Sequence, residues 1–162
     1  MVDNVYLGNP NLKKANTPIE FTEDQVKEFI RCQNDPVYFA RKYVKIVSLD
    51  EGLVPFQPYD FQEKLINNFH EHRFNICKMP RQTGKSTTVV SYLLHYAVFN
   101  DSVNIGILAN KAATARELLG RLQTAYENLP RWMQQGIIAW NKGSLELENG
   151  SKILAASTSA SA

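Results

Sequence analysis

Residues 79–87, Met-Pro-Arg-Gln-Thr-Gly-Lys-Ser-Thr, constrain the fold of this chain more than any other stretch. They follow a short apolar run at 74–79 and open a longer one at 86–99, in the order expected of strand, loop and helix. A bound phosphate needs backbone that can approach closely, a positive charge, and a hydroxyl for its magnesium ion, all at the positive end of a helix. Gly84, Lys85 and Ser86 supply these in succession. A chain built around such a loop is α/β, with helices flanking a sheet.

The loop departs from the spacing G-x-x-x-x-G-K-[ST], because Met79 stands where the first glycine belongs. Pro80 can set a turn there instead, and Arg81 places a permanent cation within reach of a terminal phosphate. Downstream, Val89, Val90, Tyr92, Leu93, Leu94, Tyr96, Ala97 and Val98 leave no polar face, so this helix is expected to be buried nearly all round.

The chain has 162 residues and 44% hydrophobic content, enough for one domain with its own core. Its net charge of +2 does not demand a polyanionic partner, and Lys13, Lys14, Arg41, Lys42 and Lys45 read as solvated surface. No apolar run nears membrane-spanning length and residues 1–4 begin no signal peptide, so a soluble intracellular protein is expected, with no membrane partner. Cys32 and Cys77 fit a reducing compartment, Cys77 as a small buried residue of the strand before the loop. His70 and His72 lack a third ligand and are expected in solvent rather than on a metal.

Residues 1–21 have no hydrophobic period and read as an extended arm whose order needs a partner. A helical segment follows at 22–55. Thr22 with Gln25 forms a capping box for a helix through about Cys32, Asp35-Pro36 opens a second through about Val44, and 49–55 is a loop. Residues 56–162 form a partial phosphate-loop domain. Its first helix carries Phe61, Leu65, Ile66 and Phe69 at helical spacing, and 103–109 is a second buried strand, parallel because helices alternate with it. Residues 112–127 form an amphipathic helix, a short helix surrounds Trp132, and 144–148 pairs with 152–154 across an Asn149-Gly150 turn. Trp132 and Trp140 read as core anchors rather than stacking platforms. The expected whole is a phosphate-loop NTPase of the additional-strand class with a mostly parallel sheet, incomplete at the C-terminus, since the small polar tail 155–162 ends in mid-fold.

Hydrolysis needs carboxylates to help hold magnesium and to orient water, usually at the end of a second apolar strand. Here that strand ends in Asn110, Asp101 follows a helix, and Glu146 and Glu148 alternate with leucines on a hairpin. An acid-free second strand suits motor ATPases that insert an additional strand, which places the acidic strand beyond residue 162. Nucleotide binding with poor turnover is therefore expected; the alternative is that Glu146 or Glu148 acts.

Nearly end to end, the chain resembles the amino-terminal ATPase portion of the large terminase subunit of T-even-like tailed bacteriophages. The resemblance rests on residues 8–16 (Gly-Asn-Pro-Asn-Leu-Lys-Lys-Ala-Asn), the helix at 35–43, Asp60-Phe61-Gln62, Arg81-Gln82-Thr83-Gly84-Lys85, Gly106-Ile107-Leu108-Ala109 and Trp140-Asn141-Lys142-Gly143-Ser144. It implies ATP and Mg²⁺ as cofactors: Gln82 and the backbone of Thr83 to Thr87 around the phosphates, Lys85 on the β and γ phosphates, Ser86 on magnesium. Arg81 would act in cis as an arginine finger, and Phe61 and Gln62 would hold the adenine, with Tyr59 either stacking on it or packing beneath the loop. It further implies packaging of double-stranded DNA into a procapsid in the host cytoplasm, with the portal protein, the small terminase subunit, other large subunits in a ring, and the remainder of the large subunit with its nuclease domain as partners. A helicase or translocase, and a noncatalytic assembly module, are the other readings.

Overall fold

The computed structural model describes residues 4–48 and 50–158, so expectations for residues 1–3, Leu49 and the tail 159–162 fall outside the described residues. Helix starts follow local chemistry. In α1 (Glu23–Asn34) the Thr22 hydroxyl accepts from the Gln25 amide at 3.2 Å and the Gln25 side chain returns the bond to Thr22 N–H at 3.0 Å, the expected capping box. Asp35 caps α2 (Pro36–Tyr43) through the Tyr38 amide at 2.8 Å. Then come α3 (Asp60–Glu71), α4 (Lys85–Phe99) and α5 (Ala112–Glu127).

The main sheet contains β5 (Asn104–Ala109), β6 (Ile137–Trp140), β7 (Ser144–Leu147) and β8 (Lys152–Ser157) in the order β5-β8-β7-β6. The expected mostly parallel sheet is not what forms. β5 and β8 run parallel, from Asn104 opposite Lys152 to Ala109 opposite Ser157, while β7–β8 and β6–β7 are antiparallel. The short β6–β7 and β7–β8 connections leave no room for a crossover helix, so they can only reverse the chain.

The strand expected at 74–79 is also absent: these residues carry no regular structure, Phe74 and Ile76 are exposed, and Cys77 is exposed rather than buried. A strand forms only where a neighbour takes its N–H and C=O groups, and β5, at the sheet's edge, does not pair with this segment. The Asn149-Gly150 turn differs as well. Gly150 alone of the pair has positive φ (81°), and Leu147 accepts from Gly150 N–H while donating to Ser151 C=O, a longer loop than the two-residue turn expected. Asn149 holds that shape by donating to the carbonyls of Ala97 (2.9 Å) and Asn100 (3.1 Å).

Three further features depart from the sequence reading. β3 (Lys45–Ser48) and β4 (Gly52–Pro55) pair as a hairpin where a helical end and a loop were expected, β6 was not anticipated, and the turn around Trp132 is not a helix. The arm is ordered by the chain itself. β1 (Val5–Tyr6) pairs with β2 (Asn9–Lys13), Leu12 is buried, and Lys13, read as solvated, is 6% exposed with Nζ 3.0 Å from Glu148. Beyond it, Lys14 bridges Ile137 in parallel, so the arm lies along the free side of β6.

The core joins α2, α4, α5 and one face of the sheet through Phe39, Leu94, Phe99, Leu119, Leu122, Tyr126, Leu145 and Ile153. Trp132 packs edge-on to Phe21 and Tyr43, and Trp140 lies against Tyr126, so both tryptophans border the core half-buried. α4 is not covered all round: Val89, Tyr92, Leu93 and Tyr96 face two cavities beside β5.

Candidate functional site: a phosphate-loop cleft

Gly84 caps α4 with φ 74°, ψ 18°, a left-handed conformation that glycine adopts without strain. A second constraint acts on the same residue, because a Cβ there would run into the Gln62 amide nitrogen. Gln82 also has positive φ (61°), so two left-handed residues in three turn the chain into the helix. The first N–H groups of α4 have no intrahelical partner and lie at its positive end, with Lys85 as the first helical residue. Lys85 bends back over the loop, its ammonium donating to the carbonyls of Met79 (3.1 Å) and Pro80, and Thr83 Oγ1 also donates to Pro80 C=O at 3.0 Å. Carbonyls thus hold the lysine where an anion would compete for it.

Beside the loop lies an open cleft of about 400 Å³, walled by Ile46 and Pro55 of the β3–β4 hairpin, by Gln57, Phe61 and Gln62, and by Gln82, Thr83, Gly84 and Thr87. Tyr59 and Phe61 stack near-parallel, ring centroids 5.8 Å apart, and stay largely exposed. Gln62 is 3% exposed: its oxygen accepts from Tyr59 N–H at 2.9 Å and its nitrogen donates to Thr83 C=O at 3.3 Å. One carboxamide therefore ties the start of α3 to the loop before α4.

Of the residues singled out by sequence, the cleft brings together Phe61, Gln62, Gln82, Thr83, Gly84 and Thr87. Lys85 and Ser86 line a smaller apolar cavity of about 150 Å³ with Val89, Leu93, Ile107 and Leu118, and Arg81 is exposed on the loop with no ion pair among the described residues. Ile46, Pro55 and Gln57 were missed. Gln57 sits in the same Phe-Gln-Pro-Tyr-Asp-Phe-Gln run as Gln62, whereas the hairpin carries no motif and is placed only by tertiary packing.

No carboxylate lines either of these cavities. Glu146 pairs with Lys152 at 3.0 Å and Glu148 with Lys13, so both stay on the hairpin in structural ion pairs. His70 and His72 are exposed, and among the described residues no group of three His, Cys, Asp or Glu side chains could hold a metal. A larger cavity, about 530 Å³, separates Arg73 and Asn75 from Asn104 and Ile105 at the open edge of β5. No helix among the described residues is long and apolar enough to cross a membrane.

A left-handed glycine leading into α4, with a lysine at the helix's first turn and a sheet beside it, sits in an α/β fold. The fold is similar to that in the crystal structure of the HK97 bacteriophage large terminase, with a TM-score of 0.63 and 16% identity over 80% of this chain and 28% of that one. The chain thus spans 28% of the length of that protein. Residues 76–162, more than half of the chain, match the family described as terminase large subunit, T4likevirus-type, N-terminal. The chain belongs to this family.

Proposed function

We propose that this chain is the nucleotide-binding part of a viral DNA-packaging motor and that ATP with Mg²⁺ is its ligand. The observation that carries the reading is the geometry at Gly84, which lines a neutral, glutamine-walled cleft and starts α4, so that the free N–H groups of that helix begin where the cleft ends, with Lys85 as its first residue. These residues suit the ligand. Unpaired helix N–H groups and Lys85 match phosphate oxygens, the Ser86 hydroxyl, which makes no hydrogen bond among the described residues, suits magnesium, and the uncharged cleft suits a purine. On binding, Lys85 exchanges the Met79 and Pro80 carbonyls for the phosphates, and Arg81 turns in to meet charge on the terminal phosphate. Phe61 supplies an apolar face for the base, and Gln57 with the spare valences of Gln62 supplies its polar edge.

Turnover by this chain alone is expected to be poor, because no acid reaches the loop. The carboxylate would arrive on a strand docked in the gap between β5 and residues 73–80, whose floor is Val89, Tyr92 and Leu93. DNA translocation, the portal, the small subunit and a ring of copies enter through the family, as properties of a larger assembly.

Mg-ATP binding by calorimetry, with phosphate release followed in the same samples, tests the reading on the chain and on Lys85→Ala. Losing one charge-assisted contact costs about 1.5–3 kcal/mol, roughly ten- to a hundredfold in affinity. Binding that weakens by that factor without phosphate release supports the proposal. No binding by either protein would instead favour an assembly module that keeps the fold, and release dependent on Lys85 would mean that a carboxylate reaches the site.

A further inference from the structure

The N-terminal arm is bonded densely to the far end of the chain. Besides the Lys13–Glu148 pair, Asn16 N–H donates to Glu148 at 2.8 Å, Lys13 N–H to the Gln134 side chain at 3.0 Å, the Gln134 side chain back to Asn11 C=O at 2.9 Å, and Asn9 to Glu127 at 3.1 Å. Ala15 N–H donates to Ile137 C=O at 3.3 Å, adding the arm to the β6 edge in parallel. At Gly136 the arm passes so close that a Cβ would overlap both Ala15 and the Glu148 carboxylate.

The connector between the arm and α1 has the opposite character. Residues 17–21 form no regular structure and, among the described residues, no hydrogen bond; Thr17 and Ile19 are half-buried, and Phe21 makes ring contacts with Phe29 and Trp132. A segment with many specific contacts, joined to the body by an unbonded connector, has the layout from which domain exchange proceeds. The same contacts form whether the arm returns to its own chain or crosses to an identical one, and only the connector changes conformation.

We propose that the arm is exchangeable and that residues 4–16 of one copy dock on the β6 edge of a second copy of this chain. The recognition is backbone addition to an edge strand, with Leu12 in its pocket and Lys13 on Glu148 fixing the register. An acidic residue and a glycine at the dock, and a lysine in the arm, make the match specific to this sequence rather than to any extended peptide.

Two variants, mixed, test it. An acceptor lacking residues 1–16 leaves the β6 edge bare, and a donor carrying Gly136→Val keeps its arm but blocks its own dock. Light scattering on a sizing column should find each alone at monomer mass and the mixture at the mass of a one-to-one pair. Two monomer peaks from folded proteins, judged by circular dichroism, would overturn the proposal. Where either variant does not fold, the full chain lacking Ile19 and Glu20 decides: a connector too short for the arm to return should double the mass, and a folded monomer would equally overturn it.

Discussion

Acid should destabilise this fold through one buried imidazole. His95 is 1% exposed; its Nε2–H donates to Cys32 C=O at 2.9 Å, its Nδ1 has no partner, and its ring lies against Phe39, Phe99 and Tyr92. Burial brings its pKa from 6.5 down to about 4; the hydrogen bond to the Cys32 carbonyl opposes this most, repulsion from His70 adds to it, and the Gln33 backbone and Asp35 oppose it less. The unfolded chain therefore takes up a proton near pH 6.5 while the folded chain waits until about 4. Stability is fully present above the unfolded value and is lost as pH falls through that window. At about 1.4 kcal/mol per pH unit the loss is about 3 kcal/mol. Urea unfolding of the chain and of His95→Phe, compared between about pH 7.5 and about pH 4.5, measures it; with m-values of about 1–3 kcal/mol/M the midpoint of the unsubstituted chain should drop by roughly 1–3 M more than that of the variant. Carboxylates common to both proteins cancel in the difference. Equal pH slopes would refute the assignment of this loss to His95.

Gly84→Ala should cost about 1–3 kcal/mol for a side chain forced into positive φ, and more from displacing Gln62, so both thermal stability and Mg-ATP affinity should fall. An unchanged affinity would show that the loop does not need this turn. Glu148→Gln should leave Lys13 unpaired and loosen the arm, read as faster proteolysis at 17–21; the same release should occur in the unsubstituted chain at low pH. Burial raises the pKa of Glu148, but bonds from Asn16, Gly136 and Lys13 outweigh it and hold it below 4.5, so its contribution is present above that value and lost as pH falls through the lower folded one. Phe39→Ala, at a fully buried ring touching His95 and Phe99, should cost about 3–5 kcal/mol in denaturant unfolding.

What the sequence made legible was local. The capping box at Thr22, the Asp35-Pro36 start and the bounds of α5 depend on residues within one turn of each other, and they form as read. What it hid depends on who lies beside whom. Residues 74–79 have a strand's composition but no ladder partner, and Lys13 looks like any surface lysine until Glu148 is brought to it. The site divides in the same way. Gly84, Lys85 and Ser86 announce a loop, and Phe61 with Gln62 are reached through a resemblance, but Ile46 and Pro55 wall the cleft only because a two-stranded hairpin folds over it.

The arm's contacts also set an order of events in time. Lys13 and Glu148 are 135 positions apart, and Gln134 and Ile137 also lie far downstream. On the ribosome the arm emerges well before its dock. Closing so long a loop comes late, and until then the arm of one nascent chain is as free to meet the dock of a neighbour on the same message as its own. Local concentration during synthesis, and not only the final equilibrium, should therefore decide how many copies leave the ribosome linked.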